Sequence, residues 1–251
     1  MSNDEYLYKI LAGQNLTTDE IANLRRLRDT IQQQLSVLNG SPRFYYAGSY
    51  GKKTMIRTRY DLDIVIYWPN SVNYTLKDIY DAVGTTLKKH WTYVNPKMVS
   101  WEVPFQGGFH IDVVPGRALD AQYYEANLYR SDTQTSLKTS LKKHIDTVRG
   151  SGRTDAIRLM KLWRERKVVP FKKSFLLEML TIEACKGIPG NEIARQVVAA
   201  LTLIRDNIRT CNVADPANSN NSLSDDLSDW SRQQIQAAAQ TALTGSWQQL
   251  F

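Results

Sequence analysis

The chain has 251 residues, 42% hydrophobic and 23% charged, enough for one large domain or two lobes around a shared core and too apolar for a disordered chain. No stretch approaches the ~20 consecutive apolar residues of a membrane span. The start MSNDEYLYKI has no signal-peptide pattern, and two cysteines with three histidines argue against a disulfide framework or structural zinc, so a cytoplasmic protein is expected.

A formal net charge of +7 suits a polyanionic partner. The first strong element is a helix over 17–38, opened by the Thr17/Glu20 capping box and carrying Ile21, Leu24, Ile31, Leu35 and Leu38 at helical spacing. Asn39-Gly40-Ser41-Pro42 stops it. A short aromatic strand over 43–47 runs into Gly48-Ser49. The run DLDIVIYW over 61–68 alternates, with Leu62, Ile64 and Ile66 on one face and Asp61, Asp63, Val65 and Tyr67 on the other. Ile79, Val83 and Leu87 predict a helix over 76–90. Strands are expected over 99–104 and 109–114, flanking a Gln106-Gly107-Gly108 turn.

Beyond residue 134 the pattern turns helical, with helices expected over 135–148, 154–166, 174–186, 191–209 and 226–243 and a loop over 215–224. Strands followed by helices predict an α+β fold. The expected organisation is an N-terminal helix and α/β lobe over 1–134, with a mixed or antiparallel sheet, followed by a helical lobe over 135–251.

Asp61-x-Asp63 opens an apolar strand, where residues i and i+2 project from one face. Two carboxylates held this close repel, and a divalent cation removes the conflict; all-oxygen ligands suit Mg²⁺. His110-Ile-Asp112 places a third carboxylate in another strand. If that strand lies beside the first, the three can hold two metals for an in-line phosphoryl displacement. His110 shares a face with Asp112 but is expected to be structural rather than a ligand.

Gly48-Ser49-Tyr50-Gly51-Lys52-Lys53-Thr54 lies just ahead of the acidic pair. A strand entering Gly-Ser and then a helical turn exposes backbone N–H groups and the Ser49 hydroxyl to a phosphate. A Walker A loop is excluded by spacing, because two residues rather than four separate Gly48 and Gly51 and Lys52 is followed by Lys53.

Gly-Ser, then D-x-D, then a further Asp on a second strand resembles the nucleotidyltransferase superfamily typified by DNA polymerase beta. Within it the chain is most similar to oligoadenylate synthetases and bacterial relatives of cyclic GMP–AMP synthase. The segments that carry this are GSYGKKT, DLDIVIYW, HIDVVP, RLMKLW at 158–163, KSFLLEML at 173–180 and DPANSNNSLS at 215–224.

The resemblance implies a nucleotidyltransferase palm with an active-site cleft against the helical lobe. Asp61, Asp63 and Asp112 would be the catalytic metal ligands, for Mg²⁺ with Mn²⁺ as an alternative. Gly48 and Ser49 would form the triphosphate turn, and Lys161 and Ser174 would be the phosphate contacts of the helical lobe. It further implies transfer of a nucleotide from a nucleoside triphosphate to a hydroxyl, a cyclic or linear oligonucleotide messenger as product, and a role in antiviral defence. Addition to an RNA 3′ end, nucleotidylation of a protein, and an inactive nucleotide- or RNA-binding member are the alternatives left open.

Overall fold

A computed structural model describes residues 1–251. In chain order the elements are α1 (Asn3–Ala12), α2 (Thr18–Leu35), β1 (Arg43–Tyr46), α3 (Gly48–Lys52), β2 (Leu62–Trp68), α4 (Leu76–His90), β3 (Asn95–Pro96), β4 (Trp101–Pro104), β5 (His110–Ala118), β6 (Ala126–Arg130), β7 (Thr135–Thr139), α5 (Leu141–Gly150), α6 (Thr154–Arg166), α7 (Ser174–Ala184), α8 (Ile193–Asn207), β8 (Ala214–Asp215), β9 (Asn218–Ser222), α9 (Asp229–Thr244) and α10 (Trp247–Leu250). No helix is long and apolar enough to cross a membrane.

The chain forms two compact units that interlace in sequence. One comprises 16–52 and 60–145; the other comprises 1–15, 53–59 and 146–251. The boundary expected after residue 134 therefore differs from the observed division. Residues 135–139 are not helical: they form β7, which pairs antiparallel with β6 inside the same sheet. Leu137, Leu141, Ile145 and Val148 mimic helical spacing across Ser140, but α5 starts only there, where the Ser140 hydroxyl accepts from the Lys143 amide at 3.2 Å.

The sheet unit is built on a mixed sheet in the order β1-β2-β5-β4-β3, extended by β6 and β7. β2 and β5 are parallel; every other pairing is antiparallel. The alternation read from DLDIVIYW holds, and both faces are covered. Leu62, Ile64 and Ile66 are buried, and Val65 and Tyr67 pack in a second cluster with Ala47, Ala126 and Leu128. α2 begins with the expected Thr17/Glu20 capping box and packs on α4, which packs on β5. Thr75 caps α4 in the same way.

The helical unit has its own core, drawn from α1, α6, α7, α8 and α9 and including Ile56 from the 53–59 segment. Polar contacts hold that segment: Arg158 donates to the Met55 carbonyl at 3.0 Å, and Arg59 pairs with Glu165 at 3.1 Å. The loop expected over 215–224 contains a small hairpin of β8 and β9, in which the buried Asp215 carboxylate accepts from the Ala217 amide at 2.8 Å. α1 was not anticipated, although Ser2 and Glu5 form a capping box at its start.

Close packing of α4 on the sheet gives a stability test. A β-carbon at Gly84 would lie 2.2 Å from the Trp101 ring, whose Nε1 donates to the Tyr80 carbonyl at 2.9 Å. Gly84→Ala should lower stability by about 1–3 kcal/mol despite alanine's better helix propensity, measured as a lower urea midpoint with an unchanged slope.

Candidate active site

The parallel register of β2 and β5 sets Asp63 directly beside Asp112. The antiparallel register of β4 and β5 sets Glu102 on the other side of Asp112. Three carboxylates thus form a row across three neighbouring strands, with Asp61 one residue ahead of β2. The first two strand positions were expected. Glu102 was not, although its place between buried Trp101 and Val103, and the turn that pairs Pro104 with His110, would have located it by counting outward.

Each carboxylate faces a basic side chain. Asp61 Oδ1 lies 2.8 Å from His110 Nδ1, and His110 Nε2 is 3.7 Å from Asp112 Oδ2. His110 thus stands between two acidic residues, hydrogen-bonded to Asp61. Lys97 Nζ lies 2.6 Å from Glu102 and 3.1 Å from Asp112 Oδ1. The buried Lys52 acts electrostatically on Asp63. The ligand atoms that all lie within 4.8 Å of one another are those of Glu102, His110 and Asp112; Asp61 and Asp63 stand outside that cluster.

Crowding of like charges shows in the acidities. Burial first, and then the Asp112 charge, push the Asp63 carboxyl up to about 6, with Lys52 opposing. Burial also raises Asp112, with Lys97 opposing. His110 is raised by its hydrogen bond to Asp61, against its burial.

Gly48 opens α3 with φ +54°, and a β-carbon there would fall 1.6 Å from an Asp63 carboxylate oxygen. Only glycine lets the Gly-Ser turn press against that acid. The Ala47 amide donates to the Asp63 carbonyl at 3.0 Å, tying the turn to β2. Ser49, partly buried, follows in the first turn of α3.

The two residues expected in the helical unit have polar partners within that unit. Lys161 is buried; its ammonium pairs with the buried Glu178 at 2.5 Å and donates to the Thr54 hydroxyl at 2.9 Å. Ser174 begins α7 and accepts from Arg164 at 2.7 Å. Lys161 therefore has a carboxylate partner where the resemblance implied a phosphate.

Residues 1–150 match the family model described as the Second Messenger Oligonucleotide or Dinucleotide Synthetase (SMODS) domain. The chain belongs to this family. It is a nucleotidyltransferase of the branch that includes the bacterial relatives of cyclic GMP–AMP synthase. No curated protein sequence matches it significantly. Among solved structures, CdnC of E. coli MS115-1 with ATP shares 19% identity at a TM-score of 0.77, over 97% of this chain and 91% of that one. The CD-NTase CdnG of Bradyrhizobium diazoefficiens with GTP shares 14% at 0.80, over 96% and 90%. The Vibrio cholerae DncV cyclic AMP-GMP synthase, in complex with the linear intermediate 5′ pppA(3′,5′)pG, shares 15% at 0.76, over 92% and 86%. At these identities the structures establish a shared fold.

Two outcomes follow for the acidic row. Gly48→Ala should leave the secondary structure intact by circular dichroism and lower nucleotidyl transfer by about 10²-fold, because it displaces Asp63. A carboxyl whose folded pKa is raised favours folding below the unfolded value near 3.8, and that contribution is lost as pH rises through about 6. Without divalent cations, Asp63→Asn should therefore be more stable than the parent at pH 7.5 by on the order of 2 kcal/mol. Urea titrations should show the gain shrinking towards pH 4.

Proposed function

We propose that this protein joins nucleoside triphosphates into a cyclic or linear oligonucleotide messenger, using Mg²⁺ held by Asp61, Asp63 and Asp112. The observation that carries the reading is the strand register that puts Asp63 and Asp112 side by side, flanked by Asp61 and pressed by Gly48. The residues fit a divalent cation on two counts. The donors are hard oxygens, and Asp112 Oδ1 is a buried atom with no hydrogen-bond partner, Lys97 approaching it without the geometry of one. Mn²⁺ would be accepted by the same donors.

Bound there, the cation would neutralise phosphate charge and lower the pKa of the acceptor hydroxyl. The backbone amides after Gly48 and the Ser49 hydroxyl are suited to hold the triphosphate beside Asp63. Asp112, flanked by His110 and Lys97, is suited to orient the acceptor hydroxyl and to take its proton. The hydroxyl oxygen then forms a bond to the α-phosphorus, the bond from that phosphorus to the bridging oxygen breaks, and pyrophosphate leaves. Positioning and charge compensation supply most of the rate. Lys161 is left out of this scheme because Glu178 and Thr54 already enclose its ammonium.

Structures of the same fold bound to ATP, GTP and a linear dinucleotide support small nucleotides as both donor and acceptor. Labelled ATP, GTP, CTP and UTP should be converted by the purified protein into phosphatase-resistant small products. Asp61→Asn, Asp63→Asn and Asp112→Asn should each lower that conversion by about 10³-fold or more while remaining folded. Label appearing on added RNA or on the protein itself, or turnover that survives all three substitutions, would overturn the proposal.

A further inference from the structure

Lys97 follows β3, and its main chain is fixed. Its amide donates to the Ser100 carbonyl at 2.8 Å, and its carbonyl accepts from the Tyr80 hydroxyl at 2.8 Å and the Ser131 hydroxyl at 3.0 Å. The head group is shared between two acids that face each other across β4 and β5. It lies 2.6 Å from Glu102 and nearly equidistant from the two Asp112 oxygens, at 3.1 and 3.2 Å. Asn95 donates to the other Glu102 oxygen at 2.9 Å, which fixes that carboxylate. The tighter bond is thus to an anchored glutamate, and the looser, two-oxygen contact is to the aspartate.

A monovalent ammonium and a divalent cation cannot both lie against Asp112 without repulsion. Glu102 gives the ammonium a counter-charge to keep when it withdraws from Asp112. On the reading of Asp112 given above, we propose that Lys97 is a built-in counter-ion that competes with the divalent metal for Asp112, and that Glu102 is the seat that holds it aside when metal binds. The metal concentration at which the site fills is then set by the balance between these two contacts.

The test is Mn²⁺ binding to the full chain without nucleotide, followed by electron paramagnetic resonance of the free ion. Lys97→Met should tighten binding about fivefold, and Glu102→Gln should weaken it about fivefold, because Lys97 then settles on Asp112. In the double variant the Glu102 effect should vanish, because the residue acts through Lys97. Equal weakening by Glu102→Gln in both backgrounds would make Glu102 a ligand itself and overturn the proposal. So would unchanged or weaker binding in Lys97→Met. Asp112→Asn separates the two readings: if it binds Mn²⁺ like the parent, the metal assignment fails. If it loses binding while Lys97→Met is unchanged, the counter-ion role alone fails. Far-UV circular dichroism identifies a misfolded variant, for which Lys97→Gln serves instead.

Discussion

Strand register forces like charges together. β2 and β5 run parallel with Asp63 opposite Asp112, and β4 adds Glu102 to the same row. Backbone hydrogen bonds and packing on both faces fix that register, since a slip of one residue would swap Leu62, Ile64 and Ile66 with Val65 and Tyr67 between two differently packed clusters. The sheet's stability is what holds the acids in place. Burial, and after it their repulsion, raises the Asp63 carboxyl to about 6 against the opposing charges of Lys52 and His110, while Lys97 opposes the rise of Asp112.

Other features read as consequences of this constraint. Gly48 has no side chain because an Asp63 oxygen occupies the space a β-carbon would need. The Gly-Ser turn consequently presses closely against Asp63. The residues after it, 53–59, leave the sheet unit to join the helical unit, where Thr54 meets Lys161 and Glu178, and the chain then returns at residue 60 to deliver Asp61. Turn and acidic pair are close in sequence, yet the segment between them belongs to a different core.

Much of this was legible in the sequence where the signal is local. The capping box at Thr17, the alternation of DLDIVIYW and the periodicity of α4 and α6 specify their elements because each is decided within a few turns of chain. The strand positions of Asp63 and Asp112 were legible because each lies in a short apolar run whose alternation sets its face. What escaped is decided non-locally or by weak chemistry. The segment that holds β7 was expected to be helical, and its Leu137, Leu141 and Ile145 do share a helical interval, whereas pairing with β6 selects the strand. The β8–β9 hairpin is rich in Asn and Ser, which carry little strand propensity. The burial of Lys161 depends on Glu178, one helix away, and the Lys97–Glu102 pair depends on two strand registers at once.

The central claim is that Asp61, Asp63 and Asp112 together form a cation site. Crystals grown with Mn²⁺ and a non-hydrolysable ATP analogue would test it through anomalous diffraction at the manganese edge. The account predicts a peak within about 2.5 Å of carboxylate oxygens of Asp61, Asp63 and Asp112, with the triphosphate alongside Gly48. A peak confined to Glu102 and His110, or nucleotide bound with no peak near Asp63, would contradict it.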